Sequence, residues 1–137
     1  MASIFVRSAY AIGTDTDDVF DLSQWSLAAQ LFGGAGNDSY VLNAPDQQVI
    51  ETAGAGTDTV RLEFDANYTL GANVENAIRT AGSSSAGRTL IGNALNNNLT
   101  GDALTRGLID GGAGADTMTG GSGNDTIRTG NSPERSR

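Results

Sequence analysis

A nine-residue repeat constrains the fold of this chain more than any other feature of its sequence. Its clearest copies are contiguous, at residues 111–119 (GGAGADTMT) and 120–128 (GGSGNDTIR), and a third copy stands alone at 33–41 (GGAGNDSYV). Weaker copies lie at 13–21 and 53–61. A short repeat at a fixed period is typical of stacked architectures, in which each unit packs only against its neighbours.

An apolar side chain recurs at the eighth position of the units around the tandem pair. These residues are Leu90, Leu99, Ile109, Met118 and Ile127, at spacings of 9, 10, 9 and 9. Such a ladder lines a narrow interior between very short strands. Two units then make one flattened turn, turns stack about 4.8 Å apart, and loops on the same edge come from units two apart. The loop at 111–116 is therefore predicted to stack on 92–97, and the loop at 120–125 on the irregular segment 101–107.

The first six residues of each unit have the composition of an ion-binding loop. Glycine at positions one, two and four permits positive φ and tight turns, and it leaves carbonyl oxygens free to converge on a small ion. The sixth residue adds a carboxylate. The predicted metal-binding residues of the three clear copies are Gly33, Gly34, Gly36, Asp38, Gly111, Gly112, Gly114, Asp116, Gly120, Gly121, Gly123 and Asp125. The poorer copies add Asp18, Asp58, Asn97 and Asp102.

Alternatives stay open at several of these positions. An ordinary turn aspartate competes with a ligand at every Asp, and the pattern does not decide between the two at Asp18 and Asp58. Asn97 either donates a carbonyl oxygen to an ion or forms a ladder of hydrogen bonds between turns. Glu51 and Glu75 are interpreted as surface residues.

The residue types that are missing narrow the chemistry further. The 137-residue chain has no cysteine and no histidine, which excludes thiol nucleophiles, disulfides, Ser-His-Asp triads and the usual zinc ligands. Oxygen donors remain, and they select Ca²⁺ or Mg²⁺ over zinc or copper. Asp15, Asp17 and Asp18 are candidates for acid–base chemistry. Because the repeat already accounts for them, we predict that the chain is not an enzyme.

Charge and hydropathy restrict the partners. The 16 acidic and 8 basic residues, the latter all arginine, give a net charge of −8. This balance argues against nucleic acid and anionic membranes as partners. The sequence has no apolar run long enough to span a bilayer, so we expect no membrane insertion. Exposed solenoid ends favour pairing between copies, which predicts a homodimer, while the sequence identifies no protein or polysaccharide partner.

The pattern resembles the RTX repeats, the hemolysin-type calcium-binding repeats of secreted bacterial proteins. The resemblance rests on the GGxGxD hexapeptides at 33–38, 111–116 and 120–125, and on 56–60, 68–76 and 92–97, which look like the region between repeat blocks. It implies a right-handed parallel β-roll or β-solenoid, all-β with short strands and Gly/Asp-rich calcium loops. It also implies Ca²⁺ ligation by the sixth-position Asp with loop carbonyls, and secretion from a bacterium. The N-terminal residues are too weakly apolar for a signal peptide, so we expect export without one.

We predict one repeat domain over residues 1–137. It comprises N-terminal repeats at 12–42, an irregular β-solenoid middle at 43–82, a nonapeptide β-roll at 83–128 and a polar tail at 129–137. Within the apolar segment LSQWSLAAQLF, we expect either a short helix at 23–31 capped by Ser23 or a loop that carries Trp25 into a hydrophobic cap.

The predicted function is calcium binding that folds and stabilises a secreted structural or adhesive module. The alternative is the calcium-dependent repeat region of a larger secreted enzyme, such as a protease, lipase or polysaccharide epimerase. Asp38 has no evident partner loop, and the tandem pair stacks on degenerate units. We therefore expect each site to combine a strong and a weak half, with dissociation constants of roughly 10⁻⁴ to 10⁻³ M. Folding and binding are expected to be coupled.

Overall fold

Short strands joined by tight loops make up the whole of the described structure. The computed structural model describes residues 2–5, 9–80, 87–101, 106–121, 123–130 and 135–136, and none of these residues is helical. Consequently, within this part of the chain there is no helix of the length and apolarity needed to cross a membrane. The strands are β1 (Ala2–Phe5), β2 (Tyr10–Ile12), β3 (Asp18–Asp21), β4 (Ala29–Phe32), β5 (Ser39–Leu42), β6 (Gln47–Ile50), β7 (Thr59–Leu62), β8 (Tyr68–Thr69), β9 (Asn76–Arg79), β10 (Arg88–Ile91), β11 (Asn98–Thr100), β12 (Gly107–Asp110), β13 (Thr117–Thr119), β14 (Thr126–Arg128) and β15 (Arg135–Ser136).

The strands stack into a parallel β-solenoid of about six turns. The odd-numbered strands from β1 to β13 form one seven-stranded sheet, which we call the first sheet. The opposite face consists of two parts, β2-β4-β6 and β8-β10-β12-β14, and β15 joins β14 in an antiparallel pair. The predicted all-β parallel solenoid with short strands is confirmed.

The strand register confirms that units two apart stack on each other. Leu99 aligns with Met118 in the first sheet, whereas Leu90, Ile109 and Ile127 align on the opposite face. The exposed fractions of Leu90, Leu99 and Ile109 are 1%, 0% and 3%, so the eighth position of the repeat faces inward. The extra residue at 101–110 therefore does not shift the strand register.

The interior is a narrow column of apolar side chains between the two faces. Phe20 and Tyr40 lie in successive turns of the first sheet and stack with ring centroids 4.8 Å apart. Leu42 and Leu62 continue the same face with no exposed surface, and Leu31 meets them from β4. Alternate side chains of a strand point to opposite faces, so two apolar residues two positions apart suffice to place each strand against this column. Each turn buries few side chains, and the fold depends on contacts between turns.

The helix predicted at 23–31 is wrong. Residues 22–28 form a loop, and Ala29–Phe32 is strand β4, which pairs with β2 and β6. Burial along β4 alternates with a period of two, as in a half-buried strand. Pairing with the turns on both sides overrides the weak helical propensity of this segment. Trp25 packs against the core from the loop, as the loop alternative predicted.

Because the interior is a narrow apolar column, Leu42 and Leu27 should contribute very differently to the free energy of unfolding. Leu42→Ala removes a side chain with no exposed surface, and we expect it to lower the free energy of unfolding by about 2–5 kcal/mol because the narrow interior cannot refill. Leu27→Ala is the matched control, since Leu27 is 63% exposed and should change stability by less than about 0.5 kcal/mol. Urea unfolding in the presence of calcium measures both. Equal effects of the two substitutions would contradict the placement of the core.

Candidate metal centre

The sixth residues of successive repeat units lie along one edge of the solenoid. The loops that precede the strands of the first sheet lie on this edge, and the register aligns their last residues in one column. The column contains Asp18, Asp38, Asp58, Glu75, Asn97 and Asp116. We call it the acidic edge. The alignment gives Asp38 a partner loop on both sides, which the sequence did not reveal.

Backbone hydrogen bonds tie the later carboxylates of the acidic edge to the turn before them, whereas the carboxylate of Asp18 accepts from the N–H and hydroxyl of Thr14 in its own loop. Asp38 Oδ1 accepts the N–H of Asp18 at 2.8 Å, and Asp58 Oδ1 accepts the N–H of Asp38 at 2.8 Å. Glu75 Oε2 accepts the N–H of Asp58 at 2.8 Å, and Glu75 is half-buried. These bonds hold the acidic groups of neighbouring turns directly on top of one another.

Three carboxylates converge beside this column. One oxygen from each of Asp38, Glu51 and Asp58 lies within 4.8 Å of the other two. The exposed fractions of the residues are 1%, 7% and 1%. The Tyr40 hydroxyl donates a hydrogen bond to Glu51 Oε1. We call Asp38, Glu51 and Asp58 the buried carboxylate cluster.

Glu51 is a buried member of this cluster, so its interpretation as a surface residue is wrong. Because β4 and β6 pair in register, Glu51 stands at the position that Gly33 occupies in the preceding turn. The loop that follows it, 51–58, is longer than the equivalent loop 33–38. The weaker copy of the repeat at 53–61 begins two residues after Glu51, so the motif does not include Glu51. Only the strand register reveals that the Glu51 side chain enters the loop interior.

Each member of the buried carboxylate cluster keeps one oxygen without a donor. Among the described residues, Asp38 Oδ2, Glu51 Oε2 and Asp58 Oδ2 are buried and accept no hydrogen bond. A buried anionic oxygen without a partner is costly. A divalent cation that prefers oxygen ligands would satisfy all three at once, and carboxylates from two loops are the ligand set of Ca²⁺. The residues of the cluster therefore fit a calcium ion.

Burial and mutual repulsion disfavour the ionised form of these acids. Desolvation raises the pKa of Glu51 to about 7, against the opposing hydrogen bond from Tyr40. Desolvation likewise raises the pKa of Asp58 to about 6, with repulsion from Asp38 and Glu75 in the same direction. The pKa of Asp38 is also raised, chiefly by burial. At neutral pH the cluster therefore carries an unfavourable excess of negative charge, which a bound cation would relieve.

The glycines of the predicted loops make room for this arrangement. A Cβ on Gly33 would collide with the Tyr40 hydroxyl and Glu51 Oε1. Gly34 has φ 101° and would bring a Cβ against the carbonyl oxygen of Thr14 in the preceding turn. The other glycines of the clear copies with positive φ are Gly36, Gly112 and Gly114. These positions tolerate no side chain because the loops stack too closely.

The two tandem copies lie on opposite edges, as their spacing predicted. Asp116 Oδ1 accepts the N–H of Asn97 at 2.8 Å, and within the described residues its Oδ2 is buried without a donor. On the other edge, Asp125 Oδ1 accepts the N–H of Gly107 at 2.9 Å. Asp102, predicted as the acid of the partner loop, lies outside the described residues. The remaining glycines of these copies flank the two acids: Gly111 and Gly120 lie against Asp116 and Asp125, Gly121 is exposed and Gly123 is half-buried.

Asn97 differs from every other sixth residue of the column. Its Nδ2 donates to the carbonyl oxygens of Val74 and Glu75 at 3.0 and 3.1 Å, and its Oδ1 accepts the N–H of Asn93 at 2.8 Å. Both atoms of the amide have protein partners. Of the two roles expected for Asn97, these contacts match the hydrogen-bonded link between turns.

Comparison with known families agrees with this geometry. A family model described as RTX calcium-binding nonapeptide repeat (4 copies) matches residues 30–43 and 108–131. The chain carries RTX calcium-binding repeats. Such repeats bind Ca²⁺ in a structural role and are typical of secreted bacterial proteins. Neither a search of curated proteins nor a search of solved structures found a significant match.

The matched RTX segments contain only part of the buried carboxylate cluster. Asp38 lies in the first matched segment, whereas Glu51 and Asp58 lie outside both. The cluster therefore joins a clear RTX loop to a loop that has departed from the RTX pattern. Stacking of the turns brings Glu51 and Asp58 next to Asp38, although the loop at 51–58 does not match the RTX family model.

The raised pKa values predict how pH acts on the calcium-free protein. Asp38, Glu51 and Asp58 hold protons more tightly when folded than when unfolded, so they favour folding below about pH 4, and this contribution is lost as pH rises through about 6 and 7. In chelator, the free energy of unfolding should fall between pH 5 and pH 8. Urea unfolding across this range measures it. Glu51→Gln should flatten the slope and Glu63→Gln should not, whereas a wild-type slope of zero would contradict the buried cluster.

Proposed function

We propose that the chain is a non-catalytic calcium-binding module of a secreted bacterial protein, and that calcium at the buried carboxylate cluster locks its N-terminal turns together. The single observation that carries this proposal is the convergence of Asp38, Glu51 and Asp58, each with one buried oxygen that lacks a donor among the described residues. The ion would join the β4–β5 loop to the β6–β7 loop.

Charge balance favours a divalent cation over bound protons at neutral pH. Ionised Asp38, Glu51 and Asp58 carry three negative charges in a space less than 5 Å across, where they repel more strongly than in water. Ca²⁺ accepts six to eight oxygens at flexible geometry, which suits carboxylates from loops of unequal length, while Mg²⁺ demands a stricter octahedron. Calcium therefore fits this irregular site better than magnesium.

Binding at this site is coupled to folding. The ligands come from residues 13 and 20 positions apart along the chain, counting from Asp38 to Glu51 and to Asp58, and they meet only when the turns stack. The unfolded chain cannot form the site, so the binding free energy adds to the stability of the folded state. A structural role of this kind suits an adhesive or spacer module outside the cell.

The acids of the site are poorly placed for catalysis. All three members of the buried carboxylate cluster are less than a tenth exposed, so a substrate has no access to them. Two open grooves, of about 420 and 400 Å³, lie elsewhere on the surface, and neither lining contains an Asp or Glu. These features support a role in which the carboxylates hold an ion and do not transfer protons.

A second candidate is the calcium-dependent repeat region of a larger secreted enzyme, such as a protease, lipase or polysaccharide epimerase. Tyr10 and Ile12 on β2, in the first turn, are 58% and 67% exposed, and β2 is the outer strand of its sheet among the described residues. Burial along β2 alternates, so both side chains lie on the outer face of the first turn. This apolar patch suits a cover, either a further domain or a second copy of this chain. A reading frame that continues into a catalytic domain would favour the enzyme, and sedimentation of the isolated chain as a dimer would favour self-association.

Substitution of one ligand tests the calcium site directly. Asp58→Asn keeps the size of the side chain but removes one charge, and we expect calcium affinity, measured by isothermal titration, to fall at least about tenfold, which corresponds to about 1.4 kcal/mol. Asp46→Asn is the matched control, because Asp46 is exposed on the opposite edge and should bind calcium as the wild type does. If both variants titrate like the wild type, the site is elsewhere.

A further inference from the structure

Some turns of the solenoid are joined by side-chain N–H groups at places where other turns present carboxylates. We propose that Asn93 and Asn97, which we call the asparagine link, take the place of a calcium ion between two turns, so that the centre of the solenoid is folded without metal. Calcium then governs only the turns on either side. The inference about the flanking turns rests on the proposed function, whereas the link itself does not.

The asparagine link donates four hydrogen bonds to the preceding loop. Asn93 Nδ2 contacts the carbonyl oxygens of Gly71 and Val74 at 2.8 and 2.7 Å. Asn97 Nδ2 contacts those of Val74 and Glu75 at 3.0 and 3.1 Å. Three carbonyl oxygens of one loop thus converge on two amide nitrogens of the next. Convergent carbonyl oxygens are also what a calcium loop offers an ion, and here N–H dipoles satisfy them instead.

The neighbouring turns show what an acid does at the same position. Asp116, one turn later, accepts the N–H of Asn97 through Oδ1, and no described residue donates to its buried Oδ2. Asp38 and Asp58 show the same division between a bonded and an unpartnered oxygen. An acid at position 97 would turn an oxygen toward the carbonyls of Val74 and Glu75, and that contact would require a cation. With asparagine at position 97, the contact between the loops before β9 and β11 therefore needs no metal ion.

The opposite edge uses the same device with other side chains. Gln47 has no exposed surface, and its Nε2 donates to the carbonyl oxygens of Trp25 and Leu27 at 2.6 and 3.1 Å. The amide thereby joins the β3–β4 loop to the β5–β6 loop. Because glutamine supplies both donors and acceptors from one uncharged group, this junction also carries no charge that calls for an ion.

Arginine joins the next loops on that edge. Arg88 aligns with Gly107, which in turn aligns with the acid Asp125 one turn later, so a guanidinium stands in a column that ends in a carboxylate. Arg88 is 6% exposed and forms an ion pair with Asp65 of the preceding turn. Arg79 donates to the carbonyl oxygen of Phe64 at 3.2 Å. A positive charge belonging to the chain itself thus lies between the β7–β8 loop and the turn that follows.

The distribution of these groups divides the molecule into parts with different needs for calcium. On the acidic edge the asparagine link joins the loops before β9 and β11, and on the opposite edge Arg88 joins the β7–β8 loop to β10. The loops at 33–38, 51–58, 111–116 and 120–125 instead present carboxylates. In chelator, the central turns should open less often than these carboxylate loops.

Hydrogen exchange of the full chain, followed by mass spectrometry with calcium and with chelator, tests this division. Peptides from 68–80 and 87–100 should exchange at least about tenfold more slowly in chelator than peptides from 33–58 and 108–128, because local opening follows local stability. With calcium all four should be protected. Equal exchange of all four in chelator would overturn the proposal.

Asn97→Asp tests the residue that decides the outcome. It restores the sixth-position acid of the repeat, and we expect it to abolish protection of 87–100 in chelator, to regain that protection with calcium, and to bind one more calcium ion than the wild type. Asn98→Asp is the matched control, because it adds the same charge on the exposed outer face of β11 and should leave exchange and ion number unchanged. Identical behaviour of the two variants would overturn the proposal.

A third variant keeps the test informative if Asn97→Asp does not fold. Asn97→Ala removes the amide without adding charge, and it should speed exchange of 87–100 about tenfold or more in chelator and in calcium alike. Unchanged exchange would overturn the role of the link. A wild-type chain that binds no calcium yet keeps its central protection would instead sink the proposed function and leave the asparagine link standing.

Discussion

Stacking of like charges along one edge is the constraint on which the rest of the structure depends. Each turn places its sixth residue on that of the turn before, and the N–H of the earlier residue donates to the later carboxylate, as between Asp18 and Asp38. The bond that sets the register therefore also brings acids together. In a dry loop interior both the hydrogen bond and the repulsion are stronger than in water.

The narrow interior explains why the contents of the loops matter so much. Each turn adds few buried side chains, and stability in such a stack is the sum of contacts between neighbouring turns. A junction that leaves carboxylate oxygens unpartnered, as at Asp38 and Asp58, weakens both adjoining turns. An ion at that junction, or an amide such as that of Asn97, strengthens them by the same route. The chemistry of one residue per turn thus decides how a large part of the chain behaves.

Several predictions from sequence succeeded because the repeat carries its own register. The spacing of Leu90, Leu99 and Ile109 was enough to predict which units stack, and the alternation of the tandem copies between edges followed from it. Predictions from the local sequence pattern failed where strand pairing determines the structure of a segment or the position of a side chain. The segment Ala29–Phe32 has residues that suit a helix, but strands on both sides hold it extended. Glu51 lacked any motif, since its position is defined only relative to Gly33 one turn earlier.

The sequence by itself determined the fold class, the stacking order and the calcium-binding character of the repeats, because glycine spacing, sixth-position acids and the apolar eighth position are local properties of nine residues. Only the tertiary structure decided which acids share a site. It placed Asp58 and Glu51 beside Asp38, and it closed the amide of Asn97 onto the loop before it. The physical reason is that a ligand set and a hydrogen-bonded link each join two turns about twenty residues apart. The sequence of a single repeat does not specify the geometry between two turns.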